Sequence, residues 1–215
     1  MTDLTLDEIR ALLAPVIAAN AAFDGWAAPA RELAADAEGV DRDVAALALP
    51  DAPAMIDAWF ASIDDAMVAA LPLEALAAMK IRERITALIE ARLAALAPNR
   101  EALRRALAIL AMPQHLGRAA RLAWRSVDLM WARAGDTATD YNHYTKRATL
   151  LAVYGSSVTV FLDDDSEGHA DTSAFLQRRI DGLMRFERAK AGMLMRAERL
   201  PSLARFVGRL RYNAA

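Results

Sequence analysis

The chain has 215 residues, 55% hydrophobic and 25% charged, with no cysteine and a formal net charge of −2. Fifty alanines and 28 leucines stand against nine valines and nine isoleucines, which points to an all-α protein. The hydrophobicity excludes intrinsic disorder, and the missing thiols exclude disulfides, thiolate catalysis, zinc–thiolate sites and Cys-ligated iron–sulfur clusters.

The acidic start, Met1 to Glu8, has neither the basic beginning nor the apolar run of a secretory signal. Thr5-Leu6-Asp7-Glu8 reads as a capping box opening a helix whose apolar stripe is Leu6, Ile9, Leu13, Val16 and Ile17, with a kink expected at Pro15. A break at Asp24-Gly25 precedes short helices predicted over 30–37 and 41–49, with Gly39 turning between them and Pro50 and Pro53 ending the stretch. Three short helices with a Gly turn have the spacing of a helix-turn-helix. Longer helices are predicted over 54–71, 72–97, 100–111 and 116–134. In the last, Leu116, Ala120, Ala123, Trp124, Val127, Met130, Trp131 and Ala134 fall on one face, and Gly135 reads as its C′ residue. Thr137 or Thr139 would cap a further helix to Leu162. Its 148–162 stretch is free of charge but too short for a membrane span, which needs about 20 residues. Asp163-Asp164-Asp165 then falls in a loop, Asp171 or Thr172 caps a helix to about Lys190, and Ala191-Gly192 reads as a hinge. In the closing segment Leu200, Leu203, Phe206, Val207 and Leu210 share a face, with Arg205, Arg209 and Arg211 off it.

Chemistry-bearing patterns are sparse. His115, His143 and His169 are dispersed, without the Glu-x-x-His pairs of a di-iron bundle, and no phosphate loop, dinucleotide fingerprint or nucleophile elbow occurs. The aspartate triplet in a Gly/Ser loop reads as a solvated, helix-capping element rather than a magnesium site. The expectation is a protein with no catalytic residue, no metal and no cofactor. Charge is polarised along the chain: residues 1–75 hold 3 basic and 14 acidic residues, residues 178–215 hold 10 basic and 3 acidic. The helix that would read DNA starts Asp41-Arg42-Asp43, which phosphates would repel, so the helix-turn-helix reads as degenerate and nucleic acid is not an expected partner.

Residues 135–147 crowd Asp, Tyr, Asn, His, Lys and Arg beside Met130 and Trp131, a mixture that suits either a helix start with ordinary core aromatics or an interface centre. Here the chain resembles the coenzyme Q (ubiquinone) biosynthesis accessory protein family, lipid-binding proteins with a TetR-like fold. The resemblance rests on Met130-Trp131, Ala134-Gly135-Asp136, Thr139-Asp140-Tyr141-Asn142 and Tyr144-Thr145-Lys146-Arg147. Leu151 to Tyr154, Asp165-Ser166, Asp171-Thr172, Phe175-Leu176 and Arg178-Arg179-Ile180 continue it. At His143 the family commonly has Trp.

The resemblance implies a non-catalytic, TetR-like helical bundle. Residues 1–50 would be the degenerate helix-turn-helix, 51–190 a lipid-binding and dimerisation body, and 191–215 a hinge and basic amphipathic membrane helix. It implies an isoprenoid quinone precursor or phospholipid as ligand, a di-iron demethoxyubiquinone hydroxylase as partner, membrane phospholipid as support, and a homodimer. Met130, Asp140, Asn142, His143 and Tyr144 would meet the hydroxylase. Arg147 would meet phospholipid, and Leu203, Phe206, Val207 and Leu210 the membrane. The place implied is the cytoplasm, peripheral at the inner face of the cytoplasmic membrane. The Ala- and Leu-rich helices read either as the walls of a lipid pocket or as a tight core. A lipid-responsive transcriptional regulator of the TetR family and a generic helical scaffold remain as alternatives.

Overall fold

A computed structural model describes residues 4–136 and 141–199. The chain divides into two compact units, Met1–Leu176 and Gln177–Ala215. Ten α-helices are found among the described residues, in the order α1 (Leu6–Asp24), α2 (Ala28–Glu38), α3 (Arg42–Ala48), α4 (Ala52–Ala70), α5 (Leu73–Ala77), α6 (Ile81–Leu96), α7 (Arg100–Leu110), α8 (Leu116–Arg133), α9 (Tyr141–Leu162) and α10 (Ala170–Arg199). The all-α expectation holds among the described residues. Serine and threonine are tolerated inside α9 because their hydroxyls donate back to helix carbonyls: Thr149 to Thr145, Ser157 to Val153 and Thr159 to Gly155.

Helix α1 begins at the expected capping box: the Thr5 hydroxyl accepts from the Glu8 N–H and Glu8 accepts from the Thr5 N–H. It continues through Pro15 and packs against α2, α3, α4 and α7. Trp26, buried after α1, stacks 5.2 Å from Trp59 of α4 and donates its indole N–H to the Ala102 carbonyl of α7. Gly39, at φ +66°, takes the left-handed conformation that ends α2. The Val40 N–H then reaches back to Ala35, closing the helix-turn-helix turn. Trp26 and Trp59 thus tie α1, α4 and α7 together, with the short helices α2 and α3 held on α1.

Four expectations require correction. The helix expected over 72–97 is broken at 78–80. Glu83 accepts from the Lys80 N–H, so α6 has its own start, and Arg84 donates back to the carbonyls of Met79 and Ala77. On α8 the buried residues include Leu122 and Ser126 as well as Val127 and Met130, whereas Leu116 and Ala120 of the predicted seam are exposed. The cause is polar: Ser126 faces the buried Asp64, a partner that apolar periodicity cannot reveal. The α10 start is capped by neither Asp171 nor Thr172. Asp164 is buried and accepts from the N–H and hydroxyl of both Ser166 and Thr172, at 2.5–2.9 Å. Finally, α10 does not end near Lys190 but runs through Ala191-Gly192 to Arg199, since a single glycine does not end a helix. No single helix among the described residues is long and apolar enough to cross a membrane.

Two polar groups anchor this fold. Arg92 of α6 and Asp64 of α4 are paired in the interior at 2% and 4% exposure. Substituting Arg92→Met takes from the carboxylate its buried partner, leaving the half-exposed Arg125 and the Ser126 hydroxyl at 3.4 Å; it is expected to cost about 3–5 kcal/mol in urea denaturation, with most of it recovered in the Asp64→Leu/Arg92→Met double variant. Burial works to raise the Asp164 carboxyl, but the Ser166 and Thr172 hydrogen bonds dominate and hold it well below its ordinary value of 3.8. A lowered native-state value stabilises the fold above about pH 4, and this contribution is lost as pH falls further. Asp164→Ala should lower stability at pH 7 by about 1–2 kcal/mol and flatten the acid limb of melting temperature against pH.

Candidate functional site

The first unit contains a cavity of about 350 Å³ walled by α4, α6, α7, α8 and α9. Leu103, Leu107 and Leu110 line it from α7, Leu122 from α8, and Leu151 and Val158 from α9. Ala111, Ala119, Ala123 and Gly155 lie in the same wall, and these small side chains leave the space open. At the polar part of the wall stand Arg92, Ser126 and Tyr154. Arg92 Nε donates to the Tyr154 hydroxyl oxygen at 2.8 Å, its guanidinium pairs with Asp64, and Ser126 donates to the same carboxylate at 3.4 Å. Burial pushes the Asp64 carboxyl up, against the pull of Arg92 and Arg125. The result is an apolar space with one polar wall, a lining that suits an amphiphile.

A second groove, about 460 Å³, runs along α1, α4 and α8. Asp7, Asp57 and Asp65 alternate there with Arg10 and Arg118 over an alanine floor, so it lacks a continuous apolar wall. The α6–α9 cavity is the candidate. Its residues were not individually legible in the sequence, although two signals were present: Arg92 inside the Ile89–Leu96 run and Asp64 between Ile63 and Met67.

The motif after α8 is built from three fixed points. Helix α8 ends with Gly135 at φ +91°, where the Asp136 N–H bonds to Trp131 O and the Gly135 N–H to Ala132 O. Arg84 of α6 donates to the Ala134 carbonyl at 2.8 Å and lies 3.2 Å from where a Gly135 Cβ would stand. Asp136 then receives Lys146 at 2.6 Å and Arg147 at 3.1 Å, while Trp131 donates its indole N–H to the Lys146 carbonyl and lies under its ammonium. These contacts hold the start of α9 against the end of α8.

The site residues expected from the sequence are placed unevenly. Tyr144 is 62% exposed, edge-on to His143 at 5.1 Å and 6.2 Å from Trp124, so these rings form one aromatic surface patch. Met130, also expected to meet the partner, is fully buried and presents no surface for one. Arg147 is also buried, at 3%, and gives its donors to Asp128, Asp136 and the His143 carbonyl; it positions the motif instead of presenting a charge outward. Asn142 belongs to α9, and its side chain, like Asp140, Leu203, Phe206, Val207 and Leu210, lies outside the described residues. On α3, Arg42 is tied back to α2 by Asp36 at 2.5 Å and Glu32 at 3.3 Å.

Comparison with known proteins places these features. Residues 116–187 match the family model described as COQ9, which takes in the α8 and α9 walls of the cavity and the motif between them. The rat ubiquinone biosynthesis protein COQ9, mitochondrial, is 42% identical over 96 residues, 45% of this chain and 31% of the rat protein. The human protein of the same name is 41% identical over 96 residues, 45% of this chain and 30% of its own length. A probable ubiquinone biosynthesis protein coq9 of Dictyostelium discoideum is 28% identical over 110 residues, 51% of this chain and 36% of that protein. The chain therefore spans about a third of the length of the curated relatives it matches. In fold, it resembles the crystal structure of a TetR transcriptional regulator from Nitrosomonas europaea, with a TM-score of 0.65 and 23% identity, covering 80% of this chain and 95% of that one. Over residues 116–187 the chain is thus similar to the COQ9 family of ubiquinone biosynthesis proteins, and its all-helical fold is like that of a TetR regulator.

Proposed function

We propose that this chain is a non-catalytic accessory protein of ubiquinone biosynthesis that holds an isoprenoid quinone precursor at the membrane and presents it to the di-iron demethoxyubiquinone hydroxylase. The observation that carries this reading is the apolar α6–α9 cavity, two walls of which lie in the segment matching COQ9. A long isoprenoid tail is nearly insoluble, at roughly 0.8 kcal/mol for every CH₂ exposed to water, so a modifying enzyme gains from a carrier that shields it. Phospholipid acyl chains fit the same wall. The exposed Tyr144 with His143 offers an aromatic anchor for the hydroxylase. Asp140 and Asn142 lie in sequence beside this patch. Arg147 acts by holding it in place. Residues 200–215, with Leu203, Phe206, Val207 and Leu210 on one face and three arginines off it, suit reversible attachment to an anionic membrane at the cytoplasmic face. A homodimer is part of the same reading.

The alternative is a lipid-responsive regulator, favoured by the likeness of fold to a TetR regulator and by the intact turn at Gly39. Against it stand the 14 acidic and 3 basic residues of positions 1–75 and the pairing of Arg42 with α2.

Mass spectrometry of lipids retained through purification should find an isoprenoid quinone or phospholipid in stoichiometric amount; protein free of lipid would contradict the reading. Tyr144→Ala should weaken binding to the hydroxylase by about fivefold or more without changing the melting temperature, as measured by titration of the two purified proteins. An unchanged affinity would move the contact elsewhere and strengthen the regulator alternative.

A further inference from the structure

The connection between α7 and α8 combines three properties. It carries exposed apolar side chains, with Met112 at 44% and Leu116 at 55% exposure. It borders the apolar cavity, since Leu110, Ala111, Leu116 and Ala119 all line that space. It also lies in a stretch free of carboxylates: no Asp or Glu occurs between Glu101 and Asp128, whereas five arginines do. Of these, Arg104 and Arg105 pair with Glu101, and Arg125 pairs with Asp57. Arg118 and Arg121 remain near the connection, where they line a shallow hollow with Gln114, His115 and Gly117. Asp51 is the acidic residue of that hollow, 3.8 Å from Arg118, and Arg118 also borders the groove that holds Asp7, Asp57 and Asp65, so Arg121 carries more of the outward charge. Side chains on a helix lean toward its N-terminus, so both arginines extend toward the connection and not away from it.

We propose that residues 110–121 form the face on which the protein rests against an anionic phospholipid surface. Met112 and Leu116 enter the acyl boundary, Arg118 and Arg121 meet lipid phosphates, and the edge of the cavity faces the bilayer from which its occupant comes. The inference rests on the carrier reading above and extends it by giving the lipid a route. Charge selects the occupant: apolar residues framed by arginines match an anionic interface. The contrast within the same chain is direct. Leu33, Val44 and Leu47 on α2 and α3 are also exposed, but Glu32, Asp36 and Asp43 surround them in sequence, and an anionic surface would repel that face.

The test uses the full chain and vesicles of phosphatidylcholine mixed with phosphatidylglycerol, carrying an isoprenoid quinone with a fluorescent tail. Partitioning and the rate of quinone transfer to the protein are read separately. Arg118→Gln and Arg121→Gln should each weaken partitioning by about fivefold, with the difference vanishing at high salt. Met112→Glu/Leu116→Glu should slow quinone transfer by about tenfold while circular dichroism and melting temperature stay as in the parent. Because residues 200–215 are present in every variant, membrane attachment through them cannot mimic the loss. If the parent takes up quinone and all variants do so at the parental rate with parental partitioning, the proposed face is overturned and the carrier reading stands. If no quinone enters the parent while the variants still lose vesicle binding, the face stands and the carrier reading fails. Unchanged vesicle behaviour with an altered oligomeric state would assign the face to a protein contact, and also overturns the proposal.

Discussion

A carboxylate and a guanidinium sealed in an alanine- and leucine-rich interior set the terms for the rest of this structure. Asp64 and Arg92 join α4 to α6; Ser126 and Tyr154 complete the set from α8 and α9. Neither charge can be abandoned in a medium of low polarity, so four helices are fixed in register by the need to satisfy one another. The same constraint shapes the cavity. A core of aliphatic side chains alone could close by small shifts, but here one wall is held rigid by hydrogen bonds, and the space beside it persists between small residues.

Helix identity was legible from composition and spacing, and the boundaries of α1, α4, α7 and α8 follow from visible punctuation: Thr5, Pro53, Pro98 and Gly135. What escaped was decided by polar partners distant in sequence. The 78–80 break depends on Arg84 reaching the carbonyls of Ala77 and Met79 while also holding that of Ala134, 50 positions on. The rotation of α8 depends on Ser126 finding an aspartate 62 positions earlier. Asp164 looked like one of three equivalent loop acids, and only its burial distinguishes it from Asp163 and Asp165.

The candidate site was legible in one half. The motif at 135–147 stands out by crowding of residue types, and the structure gathers Asp136, Lys146, Arg147 and Trp131 into one network. Their roles were not legible, because a sequence does not distinguish an arginine that faces solvent from one enclosed between two aspartates. Arg147 is the second kind. The cavity was visible only as an excess of alanine, which serves equally for tight packing and for leaving room.

The clamp of Arg84 on the end of α8 bears on how this architecture can be inherited. The segment that matches COQ9 begins at residue 116, yet the shape of its most distinctive loop is set in part by a guanidinium outside it, on α6. Any Cβ at position 135 would meet that guanidinium at 3.2 Å, so loop and clamp constrain each other. A chimaera that transplanted the matching segment onto another helical scaffold would carry the loop's letters without the brace that gives them their shape. The smallest exchangeable unit therefore reaches back to the start of α6, and recombination that cuts between α6 and α8 would be selected against even where every residue of the recognisable segment survives.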